Sequence, residues 1–158
     1  MKYTDGLESE RLTTRFLTED DIPVFLEYFE DPVNCRFMSI PDHLSNLKRS
    51  EIFINFQMKR YSENRLGLQA IITKDTGAFA GTCGLLVQEV DGVTEIEVGY
   101  HYLRRFWGKG YATEAAQLFR DYGFEHYDVP HLVSMINPAN EPSKKVAHRN
   151  GMSLVKED

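Results

Sequence analysis

The chain has 158 residues, 42% of them hydrophobic and 27% charged, with a formal net charge of −6. That size fits one domain with a full core, and the acidic balance argues against nucleic acid as the main partner. No apolar run approaches the roughly 18 residues of a membrane span, and the start MKYTDGLESER lacks the apolar stretch of a signal peptide.

In chain order, residues 11–16 predict a first strand. Thr18 and Asp21 are spaced as a capping box, with Asp for the usual Glu, and open a helix over 20–29. Asp31-Pro32 closes it, because the residue before proline avoids helical geometry. Residues 33–42 read as irregular. A longer helix is predicted over 45–62. Leu47, Ile54, Met58 and Tyr61 recur there near helical period, and Ile52, Phe53 and Phe56 widen the apolar face.

Strands are predicted over 66–73 and 79–90. Asp91-Gly92 is a two-residue hairpin signal, so 93–102 returns as the third strand of an antiparallel meander. A helix follows over 111–124, with Ala112, Ala115, Ala116 and Phe119 on one face. Residues 131–136 form a strand one helix beyond 93–102, hence its predicted parallel neighbour. The last helix covers 141–149, with Asn140 as N-cap, Pro142 in its first turn and Asn150-Gly151 as its stop. Residues 152–155 begin a final strand. The expected architecture is a single α/β domain over 1–158. Its mixed sheet, a meander followed by βαβαβ, is flanked by helices, and a cleft opens where the parallel strands splay.

The two cysteines, Cys35 and Cys83, form no ligand or disulfide pattern. They are expected as reduced thiols of a cytoplasmic protein, with Cys83 packed inside an apolar strand. The five histidines have no metal-binding spacing, so no metal is expected.

Chemistry concentrates in the turn before the helix at 111. Arg105-x-x-Gly108-x-Gly110 leads straight into it. Glycines let a backbone approach a ligand closely, and the helix start offers free N–H groups at the positive end of the dipole. Together they suit a phosphate or diphosphate, with Arg104, Arg105 and Lys109 adding positive charge. A plain glycine turn before a helix is the competing reading. The P-loop and the dinucleotide fingerprint are both disfavoured: Gly108-Lys109-Gly110 does not supply the former, and Thr113 stands where the latter needs glycine.

The segment Glu97-Val98-Gly99-Tyr100, then Arg105-x-x-Gly108-x-Gly110-x-Ala112-x-Glu114-Ala115, resembles the GNAT superfamily of N-acetyltransferases. A second block, Asn137, Asn140, Ser143, Val146 and Gly151-Met152, strengthens the likeness. The phrases WGKGYATEA and NPANEPSKKVAHRNGM resemble the branch containing ribosomal-protein N-terminal acetyltransferases and many small-amine acetyltransferases. The resemblance implies acetyl-CoA as acyl donor. Backbone N–H groups of Trp107, Gly108, Lys109, Gly110, Tyr111 and Ala112, beside Arg105, would hold its diphosphate. Tyr100, His101 and Tyr102 would run along the pantetheine arm, and an N–H there would polarise the thioester carbonyl. Asn140 matches a pantetheine contact, and Ser143 a serine near the cofactor sulfur.

The resemblance further implies direct acetyl transfer to a primary amine: a protein N-terminus, a polyamine or a small aminated molecule. Such an amine must lose a proton first. Glu97, on the same side of its strand as Glu95, matches the family's frequent acid and is the expected base. A solvated strand face is the competing reading. The proton donor in relatives is a tyrosine four residues before the glycine, and Ala147 stands there. Ser143 is the expected substitute, ahead of His148. Relatives continue past Asp158 into another strand, so that strand is expected either to be missing or truncated or to be supplied by a partner subunit, as in a homodimer. The rival function is a non-catalytic acyl-CoA-binding module acting through a partner.

Overall fold

The structure is a computed structural model that describes residues 2–155. Its elements are β1 (Leu12–Phe16), α1 (Ile22–Glu30), α2 (Pro32–Cys35), α3 (Asn46–Ser62), β2 (Leu68–Thr73), β3 (Phe79–Val90), β4 (Val93–Tyr102), α4 (Tyr111–His126) and α5 (Glu141–Arg149). Single 3-10 turns at Glu19–Asp21 and Arg104–Phe106 precede α1 and α4. The strands form one antiparallel sheet in the order β1-β2-β3-β4.

Both faces of the sheet are covered, which makes this a three-layer α/β domain. On one side α4 lays Ala115, Ala116, Phe119 and Tyr122 on Leu12, Ile71, Leu85, Val98 and Tyr102. The two alanines are fully buried and bring the helix close to the strands. On the other side Phe25, Phe29, Phe53 and Ile54 of α1 and α3 cover Leu68, Ala70, Phe79 and Leu86. Burying one such aromatic or aliphatic side chain contributes about 1.5–3 kcal/mol.

The expected helix starts hold at the level of single hydrogen bonds. Asp21 Oδ2 accepts the Thr18 N–H at 2.9 Å, and Asn140 Oδ1 accepts that of Ser143 at 3.3 Å. The Asp91-Gly92 turn has both residues at positive φ, 51° and 81°, as this hairpin geometry requires.

Four expectations need correction. First, 131–136 is not a strand. Its pairing with β4 is one parallel bridge, Glu97 with Val133, because side chains rather than backbone fill the next ladder positions. Second, 152–155 forms no strand. Met152 N–H turns back to Ala147 O at 3.0 Å to finish α5, and no neighbouring strand is present among the described residues; 156–158 lie outside them. Third, 33–42 is not irregular throughout. The Asp31 carboxylate accepts N–H bonds from Val33 and Asn34 and starts the short α2. Fourth, the buried face of α3 is more polar than its apolar period predicts. Leu47 and Phe56 are exposed, whereas Arg49, Ser50 and Gln57 are buried. Ser50 Oγ donates to Ile22 O at 2.7 Å, and Gln57 Oε1 accepts the Leu68 N–H at 2.9 Å. Hydrogen bonding offsets the cost of burying those two groups.

Candidate active site

Backbone groups along a strand point alternately to its two sides. Leu103 N–H reaches Ala80 O on the β3 side, whereas Val98 N–H reaches Val133 O on the far side. Tyr100 and Tyr102 therefore direct their backbone groups to the far side too. Pairing there is brief. Val133 N–H donates to Ile96 O, Ser134 Oγ donates to Val98 O at 2.7 Å, and the backbone ladder goes no further among the described residues. An open strand edge at Tyr100–Tyr102 results.

Two helix starts flank this edge. Tyr100 Oη donates to Ser143 O at 2.8 Å and ties the first turn of α5 to β4. The glycine turn into α4 follows β4 directly. Gly108 and Gly110 have φ of 77° and 81°, a left-handed conformation that side-chain-bearing residues rarely adopt. A Cβ on Gly108 would meet nothing within 4 Å, so the backbone is bare on that side. Trp107 is 39% exposed and donates its indole N–H to Tyr102 O at 3.2 Å. Ala112 and Tyr111 pack toward the core.

Sequence reasoning missed how this turn is held. Glu114 accepts from Ser9 Oγ at 2.5 Å, Arg11 N–H at 2.9 Å and Arg11 Nε at 2.7 Å. Arg11 Nη1 donates to Lys109 O at 2.8 Å, and the same guanidinium lies 4.7 Å from the Tyr111 ring centre. The residues before β1 thus clamp the turn from 98 to 105 residues away in sequence. No local pattern encodes such a contact. Burial pushes the Glu114 carboxyl up, but the Ser9 and Arg11 hydrogen bonds win and hold it below its ordinary value.

The arginines differ from expectation. Arg105 Nε pairs with Glu27 at 2.9 Å and Arg104 Nη1 with Asp31 at 3.4 Å. Both cations face α1 and its end, and Lys109 is the cation left on the turn. His101 also points away from the edge. Part of the residue reaches the surface, but its ring packs on Tyr28 and Phe53, with centroids at 5.8 and 5.4 Å. Burial pushes it down to about 4, so it is neutral at ordinary pH. Its backbone groups, like those of Leu103, face β3, so the expected place of His101 beside the pantetheine arm does not hold. The Tyr102 ring is buried in the α4-side core.

Glu97 is 7% exposed. Its Oε1 accepts from Gln88 Nε2 at 2.9 Å, and its Oε2 from Met135 N–H at 2.8 Å. Burial raises its pKa above the ordinary 4.5, against the lowering effect of Met135, Gln88 and Arg60. Glu95 instead pairs with His131 at 2.8 Å. The site therefore gathers Glu97, the Tyr100 edge, the glycine turn, Asn140 and Ser143 around one strand. Among the described residues no cluster of three or more His, Cys, Asp or Glu could hold a metal ion.

The family model of the Acetyltransferase (GNAT) domain matches residues 11–153. This chain belongs to the GNAT acetyltransferase family. As a member it is an acetyltransferase with acetyl-CoA as acyl donor. It is 32% identical to the uncharacterized N-acetyltransferase p20 of Bacillus licheniformis, over 97% of this chain and 84% of that protein. Among solved structures, an acetyltransferase from Agrobacterium tumefaciens superposes with TM-score 0.80 at 28% identity, over 98% of this chain and 87% of that one. RimL, a ribosomal L7/L12 alpha-N-protein acetyltransferase in complex with coenzyme A, shares the fold at TM-score 0.74 and 16% identity, over 94% of this chain and 83% of that one. No helix among the described residues is long and apolar enough to cross a membrane.

Proposed function

We propose that this chain acetylates a primary amine by direct attack at the open edge of β4. Acetyl-CoA supplies an activated thioester when bound. The observation that carries the reading is the edge itself. Tyr100 directs an N–H outward just where backbone pairing with 131–136 stops, between two helix starts. That N–H suits the thioester carbonyl as an oxyanion donor. The N–H groups of residues 108–112, with Lys109, form the diphosphate cradle, since Trp107 N–H is already donated to Arg104 O at 3.0 Å, and the bare Gly108 backbone fits close approach. Asn140 and Ser143 border the pantetheine arm from α5.

Glu97 takes the amine proton through a water. Two lone-pair positions remain on its carboxylate after Gln88 and Met135 are served. Its raised pKa brings it nearer to neutrality, as general-base work favours. Ser143 returns a proton to the departing thiolate. The amine is a protein N-terminus, a polyamine or a small aminated molecule.

Melting temperature with excess acetyl-CoA tests the reading first. Ligand at about 100 times its dissociation constant adds roughly 2.7 kcal/mol, a rise of several degrees. Gly108→Val, still folded, is expected to lose that rise. Release of coenzyme A thiol on addition of an amine panel then reads turnover. No rise in the wild-type chain at millimolar acetyl-CoA would overturn the proposal. A rise without turnover of any amine would favour the non-catalytic acyl-CoA-binding reading.

A further inference from the structure

A second site lies on the α1/α3 side of the sheet, two ring contacts from His101 of β4. The end of α1, α2, the loop over 36–45 and the start of α3 line a half-open cavity of about 620 Å³, within the roughly 300–1,000 Å³ of small-molecule pockets. Arg49 of α3 lines it and is only 6% exposed.

A guanidinium keeps its charge under all ordinary conditions, and a buried charge is costly unless paired. Among the described residues Arg49 makes no ion pair. Its Nη1 donates to the Cys35 sulfur at 3.8 Å, and its Cζ lies 4.7 Å from the Phe29 ring centre. Its buried Nε has no partner. A sulfur and an aromatic face are weak compensation. The more exposed Arg15, by contrast, grips Asp21 with both terminal nitrogens at 2.9 and 2.8 Å. Arg49 is thus a buried cation that lines the cavity without an anionic partner among the described residues. A guanidinium so placed suits a carboxylate.

The rim adds information. Glu30, Asp42 and Arg36 also line the cavity, so a ligand of mixed charge fits better than a plain anion. The cavity lies on the α1/α3 side of the sheet, as do the side chains of Glu97 and His101. Phe29 of its wall contacts Tyr28 with centroids at 5.2 Å, and Tyr28 contacts His101 of β4 at 5.8 Å.

We infer that the acceptor is an amino-carboxylate, a zwitterion whose carboxylate pairs with Arg49 in this cavity. The inference rests on the acetyl-transfer reading above and narrows its amine to one class.

The experiment compares L-amino acids with their carboxamides, and O-phosphoethanolamine with ethanolamine, on the full chain. Melting temperature at millimolar concentration reads binding, and thiol release reads transfer. At least one amino acid is expected to raise the melting temperature and to exceed its carboxamide by about tenfold or more in kcat/KM. Arg49→Gln should erase that preference while leaving the acetyl-CoA-induced rise unchanged, and Arg49→Lys should keep part of it. Should Arg49→Gln fail to fold, Ser39→Trp replaces it. Ser39 is an exposed cavity residue, and the bulky ring should abolish the amino-acid response.

Carboxamides as good as acids, or a preference that survives Arg49→Gln, overturn the inference. Preference for the phosphate compound overturns the carboxylate assignment. A rise with acetyl-CoA but none with any amino acid overturns the inference and leaves acetyl transfer standing. The converse supports the carboxylate site and overturns acetyl transfer as its use.

Discussion

The Glu97 carboxylate accepts the Met135 N–H at 2.8 Å, two residues after the last backbone pairing between these segments. A side chain thus holds the departing segment where a ladder would otherwise continue, and the same side chain is the proposed base. Its raised pKa means that the folded state binds more protons than the unfolded state between pH 4.5 and the folded value. Stability contributed by Glu97 therefore falls as pH rises through that window. Glu97→Gln keeps an acceptor for Met135, and Gln88 can turn its amide to meet the new one. Its melting temperature should match wild type below pH 4.5 and exceed it above. A gap of opposite sign would mean that the ionised carboxylate is a net stabiliser. Loss of the base should cost kcat about 10²-fold or more, with little change in the acetyl-CoA response.

Gly108 and Gly110 share a left-handed φ but not their surroundings. At Gly108 an added methyl meets open space, whereas at Gly110 it would stand 3.2 Å from Arg11 Nη2. Gly108→Ala should cost only the conformational term, about 1–2 kcal/mol. Gly110→Ala should cost more, because Arg11 must shift while bonded to Lys109 O. Thermal denaturation of both variants checks the order, and a greater loss at Gly108 would contradict it. Both should raise KM for acetyl-CoA if the bare backbone cradles its diphosphate.

Glu114 joins the segment before β1 to the first turn of α4. Glu114→Ala leaves Ser9 and Arg11 without their shared acceptor. The Arg11 side chain is 44% exposed and that of Glu114 17%, so solvent screening limits the stability loss to about 1–2 kcal/mol. Because the Glu114 pKa is held below 4.5, its stabilisation is present above that pH and lost as pH falls through the lowered value. Wild type and Glu114→Gln should therefore converge in acid. Steady-state kinetics should show KM for acetyl-CoA rising several-fold with kcat nearly kept. An unchanged KM would separate the clamp from the cradle.

Much of this was legible where sequence period and local geometry agree. The ends of β3, β4 and α5 follow directly from Asp91-Gly92, Asn140 and Asn150-Gly151, whose conformations are set by their immediate neighbours. The face of α4 is equally plain, because four small or apolar residues repeat at helical spacing. The parallel strand expected at 131–136 does not form: none of its residues is buried, and side chains of Glu97 and Ser134 take over its bonds. Charge and motif position put Arg104 and Arg105 beside the phosphate turn, although Glu27 on α1 and Asp31 just past its end already meet them. Helical period does place Arg49 one turn before Ile52 and Phe53, but its residue type, a charge seldom buried without a partner, argues for solvent and masks the inward turn.

Tyr100 holds Ser143 by a bond that carries no chemistry of its own. α5 has no fully buried residue. Beyond its packing by Val146, it is anchored by Asn150, whose Nδ2 donates to Ala116 O at 3.4 Å, and by the Tyr100 hydroxyl. Tyr100→Phe should lower stability by about 1 kcal/mol and loosen the turn that presents Ser143. If the Ser143 hydroxyl is the proton donor, Ser143→Ala lowers kcat directly, and Tyr100→Phe lowers it by misplacing the same hydroxyl. With the hydroxyl gone, its placement no longer matters, so the double variant should be no slower than Ser143→Ala alone. This non-additivity is the signature of residues acting as a unit. Fully additive losses in kcat would assign Tyr100 a separate role, and an unchanged kcat in Ser143→Ala would remove Ser143 as the donor.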